Sequence, residues 1–129
     1  MQTTITNGEQ PIVYGDGEQS RGFTYIENVV NGNLLAGRAP AAVGQVINLA
    51  SDRSVSVNSM LRQMGDLLGL DPNPRHEPPR TGDIRDSLAD LTRARELLGF
   101  EITVQFEEGL ARTVAAFQKT RRDALATVS

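Results

Sequence analysis

The chain has 129 residues, enough for one domain with its own core, and its 39% hydrophobic and 22% charged residues are typical of a soluble globular protein. A net charge of −3 and a pI near 5.1 argue against non-specific nucleic-acid binding through a basic face. The absence of cysteine excludes disulfides, thiolate metal sites and a cysteine nucleophile, and the single histidine, His76, excludes a multi-histidine zinc site.

The N-terminal segment carries no targeting signal that we recognise. The first ten residues lack the basic start and apolar centre of a secretory signal. No apolar run approaches the roughly 18 residues of a membrane span. We therefore expect a cytoplasmic protein that does not enter a membrane. Residues 1–11 are polar and aperiodic up to Pro11, which predicts a flexible N-terminus.

The next elements are a short strand and a helix. Residues 12–14 are predicted to form a strand that stops at the glycine turn of residues 15–17, and residues 23–25 are a further candidate for extended chain. From about Glu27 the spacing predicts a helix, which residues 37–40 end. Its predicted apolar face comprises Ile26, Val29, Val30, Asn33 and Leu34.

The middle of the chain combines a candidate strand with the clearest helix. Residues 46–50 form a short apolar run typical of a strand covered on two faces, which requires neighbouring strands. Ser56 is predicted to cap a helix that ends at Gly69. Residues 71–79 hold four of the six prolines and predict a connector with an extended piece at residues 76–77. The apolar positions of the helix are Val57, Met60, Leu61, Met64, Leu67 and Leu68.

Two further helices complete the prediction. One is predicted from Leu91 to Leu98 with Asp90 as its cap, and the other begins near Phe106 and frays after Lys119 into a charged tail, residues 120–129. The first helix presents Leu91, Ala94, Leu97 and Leu98, and the second presents Phe106, Leu110, Val114 and Phe117. Three or four helices with three or four short strands make an α/β protein.

The glycine turn superficially matches a dinucleotide-binding fingerprint. Residues 15–20 read Gly-Asp-Gly-Glu-Gln-Ser, without the last glycine of Gly-x-Gly-x-x-Gly and without a helix that opens on the loop. We therefore assign no cofactor-binding residue to it. The same loop holds Arg21, whose planar guanidinium suits a phosphate, although an ordinary surface pair with Glu18 or Glu27 explains an arginine here equally well.

Residues 14–28, Tyr-Gly-Asp-Gly-Glu-Gln-Ser-Arg-Gly-Phe-Thr-Tyr-Ile-Glu-Asn, resemble the extended short-chain dehydrogenases of the NAD-dependent epimerase/dehydratase family, in which Tyr-Gly-Asp-Gly-x-Gln-x-Arg-Asp-Phe precedes a substrate-domain helix. Residues 78–90 are similar to a second family run, Pro-Arg-x-Gly-Asp-x-x-x-Ser-x-Ala-Asp. One departure is Gly22, which stands where the family usually has Asp and leaves the loop freer.

The resemblance implies a set of substrate-binding residues. It implies that Arg21 and Arg80 contact the diphosphate of a nucleotide sugar, that Asp83 contacts the uridine ribose, and that Ile12 and Tyr14 border the base. It covers the C-terminal, substrate-binding part of the fold and is closest to UDP-glucose and UDP-N-acetylglucosamine 4-epimerases. Residues 12–119 would then be the nucleotide-sugar-binding domain, with a UDP-hexose as partner. A solvated loop with an Arg80–Asp83 pair is the alternative interpretation of the second run.

The catalytic pair of the family is absent from this sequence. Members use Tyr-x-x-x-Lys beside NAD, but here Glu18 follows Tyr14 by four residues and Val29 follows Tyr25, while Lys119 is the only lysine. We therefore predict no catalytic, metal-binding or NAD-binding residue in this chain and no turnover by the chain alone. The alternative is a non-enzymatic module that binds a nucleotide sugar or a protein. The expected protein partners are a cofactor-domain chain, which would pair with the exposed strand edge of residues 46–50, or a second copy.

Overall fold

A computed structural model of the chain describes residues 5, 7 and 9–127. Over residues 9–127 it has four α-helices, five short strands and one 3-10 turn, which confirms the α/β class. The strands are β1 (Ile12–Tyr14), β2 (Ser20–Arg21), β3 (Val55–Ser56), β4 (Arg75–Glu77) and β5 (Asp86–Ser87). The helices are α1 (Ile26–Arg38), α2 (Val57–Leu68), α3 (Thr92–Leu98) and α4 (Phe106–Thr127), and the 3-10 turn is Pro40–Ala42.

Two parallel strand pairings organise the chain. β1 pairs with β4 in parallel, with Tyr14 opposite Glu77, and β2 pairs with β5 in parallel, with Arg21 opposite Ser87. β3 adds to β2 in antiparallel orientation. One loop joins β1 to β2 and another joins β4 to β5. The parallel pairings therefore make these two loops run side by side.

The core of the described residues consists of two hydrophobic clusters. The first cluster contains Val13 of β1, Leu61 and Met64 of α2, Val114 of α4 and also Ile5. The second contains Leu91, Ala94, Leu98 and Phe100, so the predicted apolar face of α3 is confirmed. The predicted ends of α2 are also confirmed. Ser56 Oγ accepts a hydrogen bond from the Ser59 backbone N–H at 3.2 Å, and Gly69 ends the helix at φ +68°.

Two features lie within the predicted flexible N-terminus and the predicted charged tail. Ile5 and Pro11 are buried, and Ile5 belongs to the first core cluster. α4 continues past Lys119 to Thr127, and Lys, Arg, Ala and Leu are good helix formers, which explains the continuation. The flexibility of residues 1–11 and the tail at residues 120–129 stay predictions, with residues 1–4, 6, 8 and 128–129 outside the described ones. Residues 23–25 form no strand.

Helix α1 forms as predicted, but the side that it buries is opposite the predicted apolar face. The predicted apolar face is exposed at Ile26 (64%), Val30 (47%) and Leu34 (54%), whereas Asn28 and Gly32 are buried. Asn28 determines this orientation. Its Nδ2 donates to Val104 O at 2.7 Å, and its Oδ1 accepts from Thr103 N, Thr103 Oγ1 and Val104 N at 3.0–3.1 Å. A buried amide with these bonds fixes α1 against the segment that precedes α4.

The predicted strand at residues 46–50 is absent. In the described part of the chain no strand pairs with this segment, and Val46 is 82% exposed. Ile47 and Leu49 are half-buried against the second cluster, between the exposed Val46 and Asn48. The side chains alternate as in a strand, but a strand also requires a hydrogen-bonded neighbour, which the described residues do not supply.

Candidate functional site

The candidate site forms where the two parallel loops meet. The β1–β2 loop leaves Tyr14 through Gly15 and Gly17, which adopt φ +81° and +77°, values that favour glycine. The Gly15 backbone N–H donates to Glu77 O at 2.8 Å, so this loop starts against the end of β4. Two sequence runs separated by more than sixty residues are thereby brought together.

Arg21 and Asp83 form the central contact of the site. Arg21 Nη2 donates to Asp83 Oδ1 at 2.8 Å. Arg21 Nη1 donates to the carbonyl oxygens of Ser20 at 2.7 Å and Arg85 at 3.1 Å. The side chains of Arg21 and Asp83 keep 31% and 39% of their surface exposed. The guanidinium is thus held in place while one side of the pair stays open to solvent.

Arg80 lies on the ring of Tyr14. Its guanidinium carbon is 3.8 Å from the centroid of the Tyr14 ring, which is a cation–π distance. The Tyr14 carbonyl accepts a hydrogen bond from Gln19 Nε2 at 2.8 Å, so the backbone beneath the ring is also fixed. Tyr14 is half-buried and Arg80 is exposed. One face of the aromatic ring is therefore covered by a side chain that can move away.

An open cavity of about 510 Å³ adjoins these contacts. Its volume lies within the range of about 300–1,000 Å³ that small-ligand pockets occupy. The lining includes Tyr14 and Asp83 and also Gly15, Asp16, Gln19, His76, Glu77, Pro79, Ile84 and Arg85. This cavity offers both an aromatic surface and charged groups to a ligand.

Asp16 and Arg85 pair at one side of this cavity. Arg85 Nη1 donates to Asp16 Oδ2 at 3.3 Å, and the Glu18 backbone N–H donates to Asp16 Oδ1 at 3.0 Å. The pKa of Asp16 is lowered, first by the hydrogen bond from Glu18 N–H and then by the charge of Arg85. Asp16 is therefore an anion near neutral pH, and it balances the charge that Arg85 adds to the cavity.

Four of the five residues implied by the resemblance form two contacts, Arg21 with Asp83 and Arg80 with Tyr14. Tyr14 and Asp83 line the cavity, whereas Arg21, Arg80 and Ile12 do not, and Ile12 lies at the start of β1 opposite Arg75. Gln19 and Arg85 also line the cavity, although neither was predicted from the sequence. Gln19 lies in the first run that carries the resemblance and Arg85 lies in the second. Their positions in these runs were the signal that could have indicated them as site residues.

His76 has a structural contact in this loop pair. Its Nδ1 lies 2.8 Å from the carbonyl oxygen of Gly15, an acceptor, so Nδ1 donates this bond. The contact ties β4 to the glycine turn. The side chain thus helps to position the turn and the cavity that the turn lines.

The glycine turn does not fit a dinucleotide. It leads from β1 into strand β2, and the side chain of Asn58 fills the space beside Gly17, where a Cβ would lie 2.0 Å from Asn58 Oδ1. Asn58 Nδ2 donates to Asp16 O at 2.9 Å and to Glu18 Oε1 at 2.6 Å, and Asn58 N donates to Gly17 O at 3.0 Å. The N-terminus of α2 lies beside the turn, but its first backbone N–H groups already donate to the turn, Val57 N to Gln19 O at 3.2 Å and Asn58 N to Gly17 O, so they are not free for a pyrophosphate.

Two other kinds of site are missing from the residues that the structure describes. Among them no group of three or more histidine, aspartate or glutamate side chains is placed to hold a metal ion. Nor does any helix within residues 9–127 have the length and apolar character needed to cross a membrane.

Comparisons with known proteins place this fold among nucleotide-sugar enzymes. Residues 1–50 match the model of the NAD dependent epimerase/dehydratase family. A UDP-glucose 4-epimerase of Mycolicibacterium smegmatis is 35% identical over 111 residues, which are 86% of this chain and 35% of that protein. The crystal structure of UDP-glucose 4-epimerase from Thermotoga maritima with UDP-glucose is 38% identical, with a TM-score of 0.85 over 92% of this chain and 38% of that chain.

A third relative extends the comparison to another sugar. The UDP-N-acetylglucosamine 4-epimerase of Methanobrevibacter ruminantium, in complex with UDP-N-acetylmuramic acid, is 35% identical, with a TM-score of 0.84 over 92% of this chain. The fold is thus part of the extended short-chain dehydrogenase fold. The chain belongs to the NAD-dependent epimerase/dehydratase family and spans little more than a third of the length of these relatives.

Proposed function

We propose that this chain is the nucleotide-sugar-binding part of a sugar-nucleotide 4-epimerase or dehydratase and that a UDP-hexose is its ligand. Arg21 and Arg80 bind the diphosphate, Asp83 binds the ribose, and Tyr14 and Ile12 border the base. The observation that carries the proposal is the parallel pairing of β1 with β4 and of β2 with β5. This pairing brings the two loops together beside one cavity, which Tyr14 and Asp83 line, and each of these two residues contacts one of the arginines.

Binding would exchange internal contacts for contacts with the ligand. In the described structure Asp83 and the Tyr14 ring hold the two guanidinium groups. A partly exposed ion pair contributes only about 0–1 kcal/mol. A hydrogen bond to a charged group contributes about 1.5–3 kcal/mol, so a diphosphate that bonds both arginines more than offsets the contacts it replaces. The released Asp83 and Tyr14 are then available to the ribose and the base.

Isothermal titration with UDP tests this binding role. We expect binding by the wild-type chain and a loss of about tenfold or more, equivalent to about 1.4 kcal/mol, in Arg21→Ala and in Arg80→Ala. Arg38→Ala is the matched control, because Arg38 is an exposed arginine in the last turn of α1. A folded chain that gives no heat at millimolar UDP would contradict the proposal.

We also propose that the chain alone does not turn substrate over. The sequence offers neither Tyr14 nor Tyr25 a lysine four residues further on. Neither tyrosine therefore has the lysine partner that the acid–base pair of the family requires. Incubation of the purified chain with UDP-glucose and added NAD should therefore yield no UDP-galactose. Epimerisation above that of a blank reaction would show that the proposal is wrong.

An interaction module without a nucleotide ligand is the second candidate. The exposed apolar segment at residues 43–50 favours it, since Val43 and Val46 are 81% and 82% exposed. The UDP titration separates the two candidates, because only the first requires Arg21 and Arg80.

A further inference from the structure

Asn58 holds the glycine turn of the candidate site from the side of α2. Its side-chain Nδ2 donates to Asp16 O at 2.9 Å and to Glu18 Oε1 at 2.6 Å, and its backbone N–H donates to Gly17 O at 3.0 Å. One residue in the first turn of α2 thus bonds to three consecutive residues of the β1–β2 loop. Asn58 does not line the cavity of about 510 Å³, so any effect that it has on a ligand there passes through this loop.

The packing of Asn58 against Gly17 is close. Gly17 is buried, and a Cβ added to it would lie 2.0 Å from Asn58 Oδ1 and 2.5 Å from Asn58 Cγ. Optimal contact between carbon atoms lies at about 3.5–4.0 Å, so a larger residue at position 17 would displace the asparagine. Asn58 is half-buried, and its two side-chain hydrogen bonds fix its amide. The loop therefore packs on α2 in this way only because residue 17 is glycine.

The same loop determines how Tyr14 and Arg21 lie relative to each other. Both are proposed ligand residues, and the chain between them passes through Gly15 and Gly17 at φ +81° and +77°. Glycine has more backbone conformations available than other residues, so a turn with two glycines requires outside contacts to keep one shape. Gly15 is bonded to the end of β4, but that contact involves none of residues 16–18.

Asp16 links Asn58 to the cavity. It lines the cavity, its Oδ1 accepts from the Glu18 backbone N–H at 3.0 Å, and its Oδ2 accepts from Arg85 Nη1 at 3.3 Å. The side chains of Asp16 and Arg85 are 56% and 69% exposed, so their ion pair contributes little to the position of the loop. The bonds from Asn58 to Asp16 O and Glu18 Oε1 are therefore the stronger constraint on this edge of the cavity.

We propose that Asn58 is a positioning residue for the nucleotide sugar: it holds residues 16–18 in the shape that the bound ligand requires and so raises affinity without touching the ligand. This inference rests on the proposed binding of a UDP-hexose. A site that already has its binding shape loses less conformational entropy when the ligand arrives. The apparent affinity falls in proportion to the fraction of chains that hold that shape. Loss of the Asn58 amide should therefore weaken binding although every proposed ligand residue remains present.

Three substitutions separate positioning from general stability. Asn58→Ala removes both side-chain donations, and Asn58→Asp keeps the size of the side chain but replaces its donor by a carboxylate that repels Glu18. An aspartate in the first turn of a helix interacts favourably with the helix dipole, so Asn58→Asp should keep α2 folded. Ser56→Ala is the matched control, because it removes the cap of the same helix, the bond from Ser59 N–H, and no side-chain contact with the loop.

Calorimetry with UDP gives the first readout. Asn58→Ala and Asn58→Asp should each bind UDP about fivefold or more weakly than the wild-type chain, the size expected for the loss of one hydrogen bond. Ser56→Ala should bind within about twofold of wild type. Glu18→Gln, added to Asn58→Asp, exchanges the donor and the acceptor of that side-chain pair. The double variant should therefore recover at least about twofold of the lost affinity.

The carboxyl of Asp16 gives a second readout that needs no nucleotide. Its pKa is lowered first by the hydrogen bond from Glu18 N–H, which depends on the shape of the loop, so Asn58→Ala should raise this pKa towards 3.8 in an NMR titration. Ser56→Ala should leave it unchanged.

The inference fails separately from the binding role. An unchanged pKa of Asp16 in Asn58→Ala, wild-type affinity for UDP in Asn58→Ala, or an equal loss of affinity in Ser56→Ala would each overturn the inference and leave UDP binding intact. A folded wild-type chain that binds no UDP would overturn the binding role and this inference with it.

Discussion

Arg21 Nη2 donates a hydrogen bond to Asp83 Oδ1 at 2.8 Å, although the two residues lie 62 positions apart in the sequence. Arg21, which we propose binds the diphosphate, and Asp83, which we propose binds the ribose, thus bond to each other when no nucleotide is bound. A negatively charged ligand must compete with Asp83 for Arg21. The contact therefore predicts that removal of the Asp83 charge has opposite effects on the affinity for the diphosphate and on the affinity for the nucleoside.

Asp83→Asn should strengthen the binding of inorganic pyrophosphate and weaken the binding of uridine. Release of Arg21 removes a competing contact of up to about 1 kcal/mol, so pyrophosphate should bind up to about fivefold more tightly. Uridine should lose about 1.5 kcal/mol or more, because its ribose no longer bonds to a charged acceptor. Calorimetry on both ligands measures the two changes. Asp52→Asn is the control, since it breaks a comparable exposed pair with Arg95 at 2.9 Å. Parallel changes for both ligands would contradict the shared role of Asp83.

Asp90 should make the start of α3 sensitive to acid. Its pKa is lowered from 3.8, first by the Thr92 hydroxyl, which donates to Oδ1 at 2.6 Å, and then by the Thr92 backbone N–H at 2.8 Å. A folded pKa below the unfolded one means that ionised Asp90 stabilises the fold above pH 3.8. This contribution is lost as the pH falls from 3.8 through the folded pKa.

Thr92→Val should therefore raise the pKa of Asp90 and shift acid unfolding to a higher pH. Titration of the Asp90 carboxyl carbon by NMR, together with circular dichroism against pH, measures both effects. Thr120→Val is the control, because the Thr120 hydroxyl donates to a backbone carbonyl, Ala116 O, at 3.1 Å. An unchanged pKa of Asp90 in Thr92→Val would contradict the assigned cause.

Asn28→Ala should destabilise the protein by about 2 kcal/mol or more. The substitution leaves the buried N–H and carbonyl of Val104 without this partner, at a cost of about 1–3 kcal/mol for each buried group, whereas the N–H of the exposed Thr103 can turn to water. Urea unfolding measures the loss. Asn33→Ala, at an exposed position of the same helix, should change the free energy of unfolding by less than about 0.5 kcal/mol. Equal stability of the two variants would show that Asn28 does not anchor α1.

Two glycines of α1 should respond oppositely to substitution by alanine. A Cβ at Gly32 would meet Leu49 Cδ2 at 2.5 Å and Cδ1 at 2.6 Å, whereas a Cβ at Gly37 would meet no atom within 4 Å. Gly32→Ala gains the same helix propensity but pays about 1–3 kcal/mol for the displacement of Leu49, so its net effect should be a loss of up to about 2 kcal/mol. Gly37→Ala should stabilise the helix by up to about 1 kcal/mol. Thermal unfolding separates the two, and a stabilised Gly32→Ala would contradict the close packing of α1 on Leu49.

The sequence predicted the local elements better than their packing. β1, α2 with its cap Ser56, and the apolar face of α3 follow from spacing and turn residues, which act over a few positions. The burial of Ile5 was not predicted, because one apolar side chain in a polar segment leaves no periodic signal. The buried side of α1 was also missed, since an internal Asn28 with a full set of hydrogen bonds looks like any surface asparagine.

The sequence motifs indicated the residues of the candidate site, but they did not indicate which of these residues contact one another. Nothing in the spacing of Arg21 and Asp83 indicates that they pair, because the pairing follows from the parallel alignment of β2 with β5. The prediction of a strand at residues 46–50 was wrong for a different reason. Their composition is typical of a strand, but no strand among the described residues pairs with them.

A crystal structure of the chain with UDP tests the central claim most directly. We expect the Arg21–Asp83 pair and the Arg80–Tyr14 stack to open. The diphosphate oxygens should lie within about 3 Å of both guanidinium groups, and Asp83 should accept hydrogen bonds from the ribose. A nucleotide bound elsewhere, with Arg21 still 2.8 Å from Asp83, would contradict the account.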